Sequence, residues 1–563
     1  MWRTLWALAA ASALAPAPRR RGGALRATPL DAPPLAREIV LISGFESFNV
    51  PLYESCADAV AGDDVRVTVF SDRDIASRRD DVAAALDRCD AFVGSLLFDY
   101  DDVEWLTPRV ERVPGPRLVF ECATELMSFN RVGNFEMKGG GGPPPAVKAI
   151  LSKFGSGKEE DKLQGYLKML KIGPQLLQYI PNDTAQDLRS WLELYRFWNE
   201  GGAENVENML RVLAARHVCE SSMQRVEAPE VVSTPAIGLL HPLAPERYFE
   251  SPRAYLDWRL SDAVAAEHGD TLATHDAPRV AVLLFRKHVI TEQTYIAEMI
   301  SRMESQGILP VPIFINGVEA HTIVRDQLTS ARERESVAAG RVTRDSTYDA
   351  SAAVDVDAVV NTIGFPLVGG PAGSMEAGRG VAGDLLSSMD VPYVVAAPLL
   401  LQDMTAWKER GVTGLQSVVL YSLPELDGAI DAVVLGALEG DDIVLVPERV
   451  EKLCSRLNRW VALRRTPVDE RRLGLVIYGF PPNQGAVGSA ALLNVPRSLD
   501  AIIEELGTSG YDVGGAPVSG EALVAGVAWL SRPDVINLGA GRAEASLAAA
   551  AARARRGDIA ATP

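Results

Sequence analysis

The stretch RVAVLLFRKHVITEQTYIAEMISRMESQGILPVPIFING (279–317) decides the fold. Val280–Phe285 is apolar without interruption, the pattern of a strand covered on both faces rather than one side wetted. Thr294–Ser305 then carries apolar residues at helical spacing, and Leu309–Ile315 is a second apolar run. Strand, helix and strand in that order make a βαβ unit, whose strands pair in parallel. Working outward, VDAVVNTIGFPLVGGP (356–371) and VPYVVAAPLL (391–400) add further units. Upstream, REIVLISGFESFN (37–49), VRVTVFSD (65–72), DAFVGSLLFD (90–99) and RLVFECA (117–123) read as four strands. The helical patterns LYESCADAVAG and DDVAAALDRC lie between them. The expected class is α/β: several domains with doubly wound parallel sheets (Rossmann/flavodoxin-like) and a helical insertion.

The insertion begins at VGNFEMKGGGGPPPAV (132–147), whose glycines and prolines predict a flexible crossing with no packed structure over 139–145. A helical segment follows at 146–216. Apolar residues recur there at Leu163, Tyr166, Leu167 and Leu170, then at Leu188, Trp191, Leu192 and Tyr195, with Pro174 and Pro181 as punctuation. Trp191, Tyr195, Phe197 and Trp198 have the spacing of one helix face, which favours helical core over a cofactor box.

A chain of 563 residues exceeds one hydrophobic core, and three or four domains is the expectation. Apolar residues at 47% and charged residues at 23% are ordinary for a globular protein. The net charge of −18 opposes binding to nucleic acid and to anionic lipid. No apolar run is long enough to span a bilayer. Cys56, Cys89, Cys122, Cys219 and Cys454 are scattered and never in a CxxC pair, which predicts free thiols in a reducing compartment. The six histidines form no HExxH or HxH pair.

Residues 1–30 lack Asp and Glu but carry Arg3, Arg19, Arg20, Arg21 and Arg26. A short apolar stretch ends in Ala11-Ser12-Ala13, and a basic, alanine-rich stretch follows it. The tandem resembles the bipartite presequence of proteins imported into complex plastids, so residues 1–36 are expected to be a plastid-targeting signal leading to the stroma. A secreted protein is the rival reading, and the unpaired cysteines oppose it.

A second stretch, LGLVIYGFPPNQGAVGSAALLNVPRSLDAIIEEL (473–506), reads as a strand at Leu473–Tyr478, stopped by Pro481-Pro482. A loop with Gly485 and Gly488 follows, then Ser489 as N-cap of an amphipathic helix. Backbone N–H groups in such a loop can receive an anion, although an ordinary strand-to-helix connection has the same spacing. In the first folded part Glu46, Asp99 and Glu121 fall near strand C-terminal ends, where open α/β sheets hold ligands.

The run GPPPAVKAILSKFGSGKEEDKLQGYLKMLKIGPQLLQYIP (142–181), followed by RFWNEGGAENVENML (196–210), closely resembles the family of magnesium chelatase large subunits (the H-type, porphyrin-binding subunits), within the cobaltochelatase large-subunit superfamily. The resemblance continues through RKHVITEQTYIAEM, GFPLVGGP, DVPYVVAAPLL, SLPELDG and FPPNQGAVGSAALLNV, and covers residues 38 to about 528. It implies a porphyrin-binding subunit that works with an AAA+ motor and an integrin-like subunit. Such an enzyme inserts Mg²⁺, as substrate, into protoporphyrin IX for chlorophyll biosynthesis. ATP hydrolysis would belong to the motor, and this chain has no GxxxxGK[ST] loop. A porphyrin-delivery accessory protein is a further implied partner.

That chemistry needs donors for propionates, bases for two pyrrole protons and oxygen ligands for Mg²⁺. In a doubly wound reading three loops supply candidates: His288 and Thr291; Glu425 and Asp427, placed in LPELDG after a strand at Val418–Leu420; and Asn483, Gly485 and Gly488. Each also suits an ordinary turn or core contact, and no residue is assigned as catalytic. The expected organisation is a presequence (1–36), an N-terminal α/β domain with the helical segment (37–227), a second α/β domain (228–470), the start of a further unit (471–528) and an Ala/Arg-rich tail (529–563). The family's later half has no counterpart in this chain, so an isolated chain is not expected to chelate alone. A shortened or fragmentary gene product and a genuine short variant both remain open. So do a non-catalytic tetrapyrrole-binding or regulatory module and a chelatase subunit for another metal, as in cobaltochelatase.

Overall fold

The computed structural model describes residues 36–62, 64–137, 172–219, 228–245, 247–268, 277–315, 320–368, 375–477, 489–490, 493–514 and 519–530. Residues up to Asn458 fall in one compact unit and those from Arg459 in another.

The first unit holds two parallel sheets. The first sheet comprises β1 (Arg37–Ser43), β2 (Val65–Ser71), β3 (Ala91–Ser95), β4 (Arg117–Phe120), β5 (Arg131–Val132) and β6 (Phe135–Glu136), in the order β2-β1-β3-β4-β5-β6. The first four are parallel, with Ile39 level with Val67 on one side and Ala91 on the other. Strand β1 shows why its apolar run is unbroken. Ile39 and Leu41 pack with Tyr53, Leu188 and Leu192 on one face. Val40 and Ile42 pack with Val82, Leu86 and Leu106 on the other. Both faces are covered, so alternate residues cannot be polar.

The helices covering the first face are α1 (Val50–Val60), α2 (Asp183–Glu200) and α3 (Ala203–Leu213). Leu188, Trp191, Leu192 and Tyr195 are buried along α2 as their spacing requires. The aromatic residues of α2 are core: Phe120 stacks on Tyr195 with centroids 4.7 Å apart, and the Trp191 indole donates to Asn130 Oδ1 at 2.9 Å.

The second sheet comprises β7 (Ile237–Leu239), β8 (Arg279–Phe285), β9 (Leu309–Ile315), β12 (Ala358–Asn361), β13 (Tyr393–Ala397) and β14 (Asp431–Val434). Between β9 and β12 lie the short parallel pair β10 (Leu328–Thr329) and β11 (Val354–Asp355). The sheet order is β14-β13-β12-β8-β9-β7, all parallel except the edge strand β7. A hairpin of β15 (Gly436–Glu439) and β16 (Asp442–Leu445) follows. Helix α4 (Arg286–Ile290) caps the end of β8, and α5 (Thr294–Ser305) completes the expected βαβ unit. The α/β class with parallel sheets therefore holds. Strand β1 lies between β2 and β3, and β8 lies between β9 and β12, so each sheet has a switch point at the C-terminal end of that strand.

Two expectations are corrected. Residues 471–477 form no strand: Leu473, Leu475 and Val476 are exposed, Val476 at 98%. An apolar run becomes a buried strand only where a neighbour completes its ladder and a layer covers it. Among the described residues neither is supplied. The N-cap of the following helix, α6 (Val495–Thr508), is Asn494, whose side chain accepts from Arg497 N at 3.1 Å. Ser489 instead lies in β17 (Ser489–Ala490), paired with β18 (Leu493–Asn494), and Pro496 sits in the first turn of α6, where a proline is tolerated. Residues 1–35, the crossing at 139–145, Leu163 to Leu170 and the loop 478–488 lie outside the described residues. No helix among the described residues is long and apolar enough to cross a membrane. All five cysteines are free thiols. Burial pushes Cys122 and Cys454 up to about 12.

Gly44 sets how closely β1 and β3 end together: a Cβ there would lie 2.0 Å from Leu96 O. Gly44→Ala is therefore expected to cost about 2–3 kcal/mol, or a fall of roughly 4 °C or more in the thermal midpoint. Gly62→Ala, with nothing within 4 Å of the new methyl, should leave the midpoint unchanged. Scanning calorimetry of both variants checks the contrast.

Candidate functional site

The two switch points meet. After β1, Gly44 N donates to Ser95 O at 2.8 Å and Phe45 N to Leu96 O at 3.2 Å, which turns the chain across the end of β3. A single 3₁₀ turn, Ser47–Asn49, then feeds α1, leaving Glu46 buried. The Tyr53 hydroxyl on α1 donates to Glu46 Oε2 at 2.5 Å. Leu96 and Glu121, which follow β3 and β4, are both left-handed, at φ 52° and 51°. Strained backbone of this kind persists where the surroundings hold it, often beside a ligand site.

From the other sheet, β8 delivers Arg286 and Lys287 to the same place. Arg286 donates to Glu200 Oε2 at 2.7 Å, Asn199 O at 2.9 Å, Pro235 O at 2.9 Å and Thr234 O at 3.0 Å. The Lys287 ammonium lies 2.7 Å from Glu46 Oε1 and 3.1 Å from Glu121 Oε2, with the Trp198 ring centroid 6.0 Å away. Burial alone would lower its pKa, but the carboxylates of Glu121 and Glu46 outweigh burial and hold it above the usual lysine value. The Tyr195 hydroxyl completes the cluster, donating to Glu121 Oε1 at 3.2 Å.

Between these elements lies a cavity of about 10 Å³, room for one water molecule, lined in part by Glu46, Asn49, Tyr53, Trp198, Lys287 and Thr291. Gln293 donates to Asn49 Oδ1 at 3.1 Å and to Thr291 Oγ1 at 3.3 Å, while Thr291 Oγ1 donates to Lys287 O at 2.8 Å. Asn49 Nδ2, Ser43 Oγ, Ser47 Oγ and His288 Nε2 are buried with no hydrogen-bond partner. Of these residues Asn49 lines the cavity, and a buried polar lining of this kind is a position for solvent or ligand.

The sequence candidates divide. Thr291 lines the cavity. His288 lies beside Lys287, fully buried, with Nδ1 2.7 Å from the Tyr295 hydroxyl and its ring edge-on to Phe48 and Phe285. Burial and the Lys287 charge push its pKa down to about 3, so it is neutral. Glu425 and Asp427 follow no strand: Val418–Ser422 is a π-helical turn and Leu423–Asp427 a short helix preceding β14. Pro424 and the αL Gly428 bracket that turn of helix, a local preference that overrides the apolar run. Glu425 is exposed, and the buried Asp427 carboxylate accepts from Leu367 N at 2.6 Å, bracing the segment after β12. Asn483, Gly485 and Gly488 lie outside the described residues. Of the strand-end acids, Glu46 and Glu121 converge on Lys287, whereas Asp99 caps the helix at Tyr100–Val110. Lys287, Tyr53, Asn49 and Tyr195 were not singled out by sequence as site residues. The available signal was a charged pair directly after an unbroken apolar first strand. Among the described residues no three His, Cys, Asp or Glu side chains are grouped to hold a metal ion.

A family model described as CobN/Magnesium Chelatase matches residues 195–539, and a domain of unknown function (DUF3479) matches residues 38–192. The magnesium-chelatase H-type subunit of Chlorobaculum parvum is 33% identical over 86% of this chain and 35% of its own length. The chloroplastic magnesium-chelatase subunit ChlH of Oryza sativa subsp. indica is 31% identical over 78% of this chain and 30% of its own. The aerobic cobaltochelatase subunit CobN of Pseudomonas aeruginosa is 27% identical over 58% of this chain and 24% of its own. The chain thus spans about a third of the length of the magnesium-chelatase relatives. Among solved structures, the catalytic subunit of cobaltochelatase from Mycobacterium tuberculosis aligns with a TM-score of 0.40 at 17% identity, over 87% of this chain and 33% of that one.

The neutral His288 has a consequence for stability. Its folded pKa, about 3, lies below the ordinary 6.5, so on acidification the unfolded chain takes up a proton that the fold refuses. Stability is therefore lost as pH falls from about 6.5 towards 3, by up to about 2 kcal/mol between pH 7 and 5. His288→Gln keeps a polar side chain without that titration. Urea midpoints at the two pH values should differ less in the variant than in the parent.

Proposed function

Because the chain belongs to the CobN/magnesium chelatase family, we propose that it is the tetrapyrrole-binding part of a chelatase large subunit. The metal is Mg²⁺ and the tetrapyrrole protoporphyrin IX, both as substrates, and the product feeds chlorophyll biosynthesis. An AAA+ motor hydrolyses ATP, an integrin-like subunit is a second partner, and an accessory protein delivers porphyrin. The plastid stroma is the compartment. The observation that carries the magnesium reading is the reach of the alignments: 78–86% of the chain against the two magnesium-chelatase subunits, and 58% against the cobaltochelatase subunit.

The geometry supports a binding role. Ligands of open α/β sheets sit beyond the C-terminal strand ends at a switch point, and here two such points share one charged cluster. A protonated lysine and neutral donors suit the propionates of a porphyrin. His288, Thr291, Glu425, Asp427, Asn483, Gly485 and Gly488 remain candidates for contact with the tetrapyrrole or its metal. The residues that remove the pyrrole protons are left unassigned.

Deuteroporphyrin IX titrated into the chain is expected to quench tryptophan fluorescence saturably, with one site per chain. A linear, unsaturable response would remove tetrapyrrole binding. In an assembly reconstituted with the motor subunits and full-length large subunit, Mg²⁺ should be inserted in preference to Co²⁺. The opposite preference would assign the chain to a cobaltochelatase, and binding without any contribution to insertion would make it a regulatory module.

A further inference from the structure

The cluster around Lys287 already contains a bound carboxylate. Glu121 places Oε2 at 3.1 Å from the Lys287 ammonium and Oε1 at 3.2 Å from the Tyr195 hydroxyl, a two-point grip on a planar anion. The two acids on Lys287 are not equivalent. Glu46 is sealed, its side chain 2% exposed, and it also accepts from Tyr53, so it neutralises the lysine permanently. Glu121 is 34% exposed, makes the longer contact, and sits on left-handed backbone at φ 51°. The surroundings hold that backbone in place, and the exposure of the side chain leaves its carboxylate an open path to solvent. Beside it, the side chain of Asn49, 1% exposed, lines the cavity.

We infer that Lys287 and Tyr195 form a carboxylate subsite in which Glu121 is a removable internal occupant, and that a propionate of the tetrapyrrole takes its place. The exchange substitutes one carboxylate for another, so the charge on Lys287 stays balanced throughout. Glu121 swings to solvent, where its own charge is hydrated. The identity of the ligand rests on the function proposed above, whereas the subsite itself does not. The device also sets selectivity: a tetrapyrrole with esterified propionates has nothing to offer Lys287 and leaves Glu121 in place.

Glu121→Gly tests both parts, since glycine accepts φ 51° without strain while the carboxylate is removed. In this variant sodium propionate should raise the thermal midpoint saturably above matched sodium chloride, and wild type should show no such rise. Adding Tyr195→Phe removes one of the two donors and should weaken the propionate effect several-fold. Deuteroporphyrin IX should bind Glu121→Gly about threefold to tenfold tighter than wild type, because the competing internal carboxylate is gone. Its dimethyl ester should bind both proteins alike. No propionate-specific stabilisation of a folded Glu121→Gly overturns the subsite. Propionate stabilisation together with unchanged deuteroporphyrin affinity overturns its use by a tetrapyrrole. A wild type and variant that bind no porphyrin, yet a variant that binds propionate, would sink the tetrapyrrole reading while leaving the carboxylate subsite standing.

Discussion

A buried cation must be paired, and the pairing of Lys287 is the constraint on which the first unit depends. The ammonium comes from the end of β8 in one sheet, and both of its carboxylates come from strand ends in the other. Removing Lys287 would leave the sealed Glu46 carboxylate stranded in a poorly solvated place, at a cost of several kcal/mol. Neighbouring Arg286 repeats the pattern with Glu200 and three backbone carbonyls. The surface pair Arg73–Asp441 ties the segment after β2 to the β15–β16 hairpin, but both side chains are more than a third exposed and the pair contributes little.

The same constraint explains why the polar atoms gather there. Two parallel sheets whose interiors are apolar on both faces can present polar groups only at their ends. Setting two C-terminal ends together brings Glu46, Glu121, Lys287 and the Arg286–Glu200 pair close together. Left-handed backbone at Leu96 and Glu121 and the close approach at Gly44 fall just past the C-terminal ends of β3, β4 and β1, at one edge of the first sheet. A site built this way is fixed on its β1 side by packing and adjustable at Glu121.

Much of the fold was legible because burial on both faces writes an unmistakable pattern. Thr294–Ser305 and Leu309–Ile315 begin and end where the apolar spacing changes, and the aromatic face of α2 is core. The run at Leu473–Tyr478 is unbroken by charge, as the apolar part of β8 is, yet its described part is exposed. Val418–Leu420 likewise reads as a strand and folds as a π-helical turn. Composition states that a segment could be covered. Whether a ladder partner exists is a property of the rest of the molecule.

The sequence by itself determined the parallel α/β class, the order of strands and helices along the chain, the polar character of each strand end and the resemblance to a chelatase family. Only the tertiary structure decided that Glu46 and Glu121 stand on either side of Lys287, the nearer of them 166 residues away in sequence. Periodicity reports which way a side chain faces within its own element. It carries no information about which two sheet ends will be packed against each other, and that packing turned three ordinary strand-end charges into one cluster.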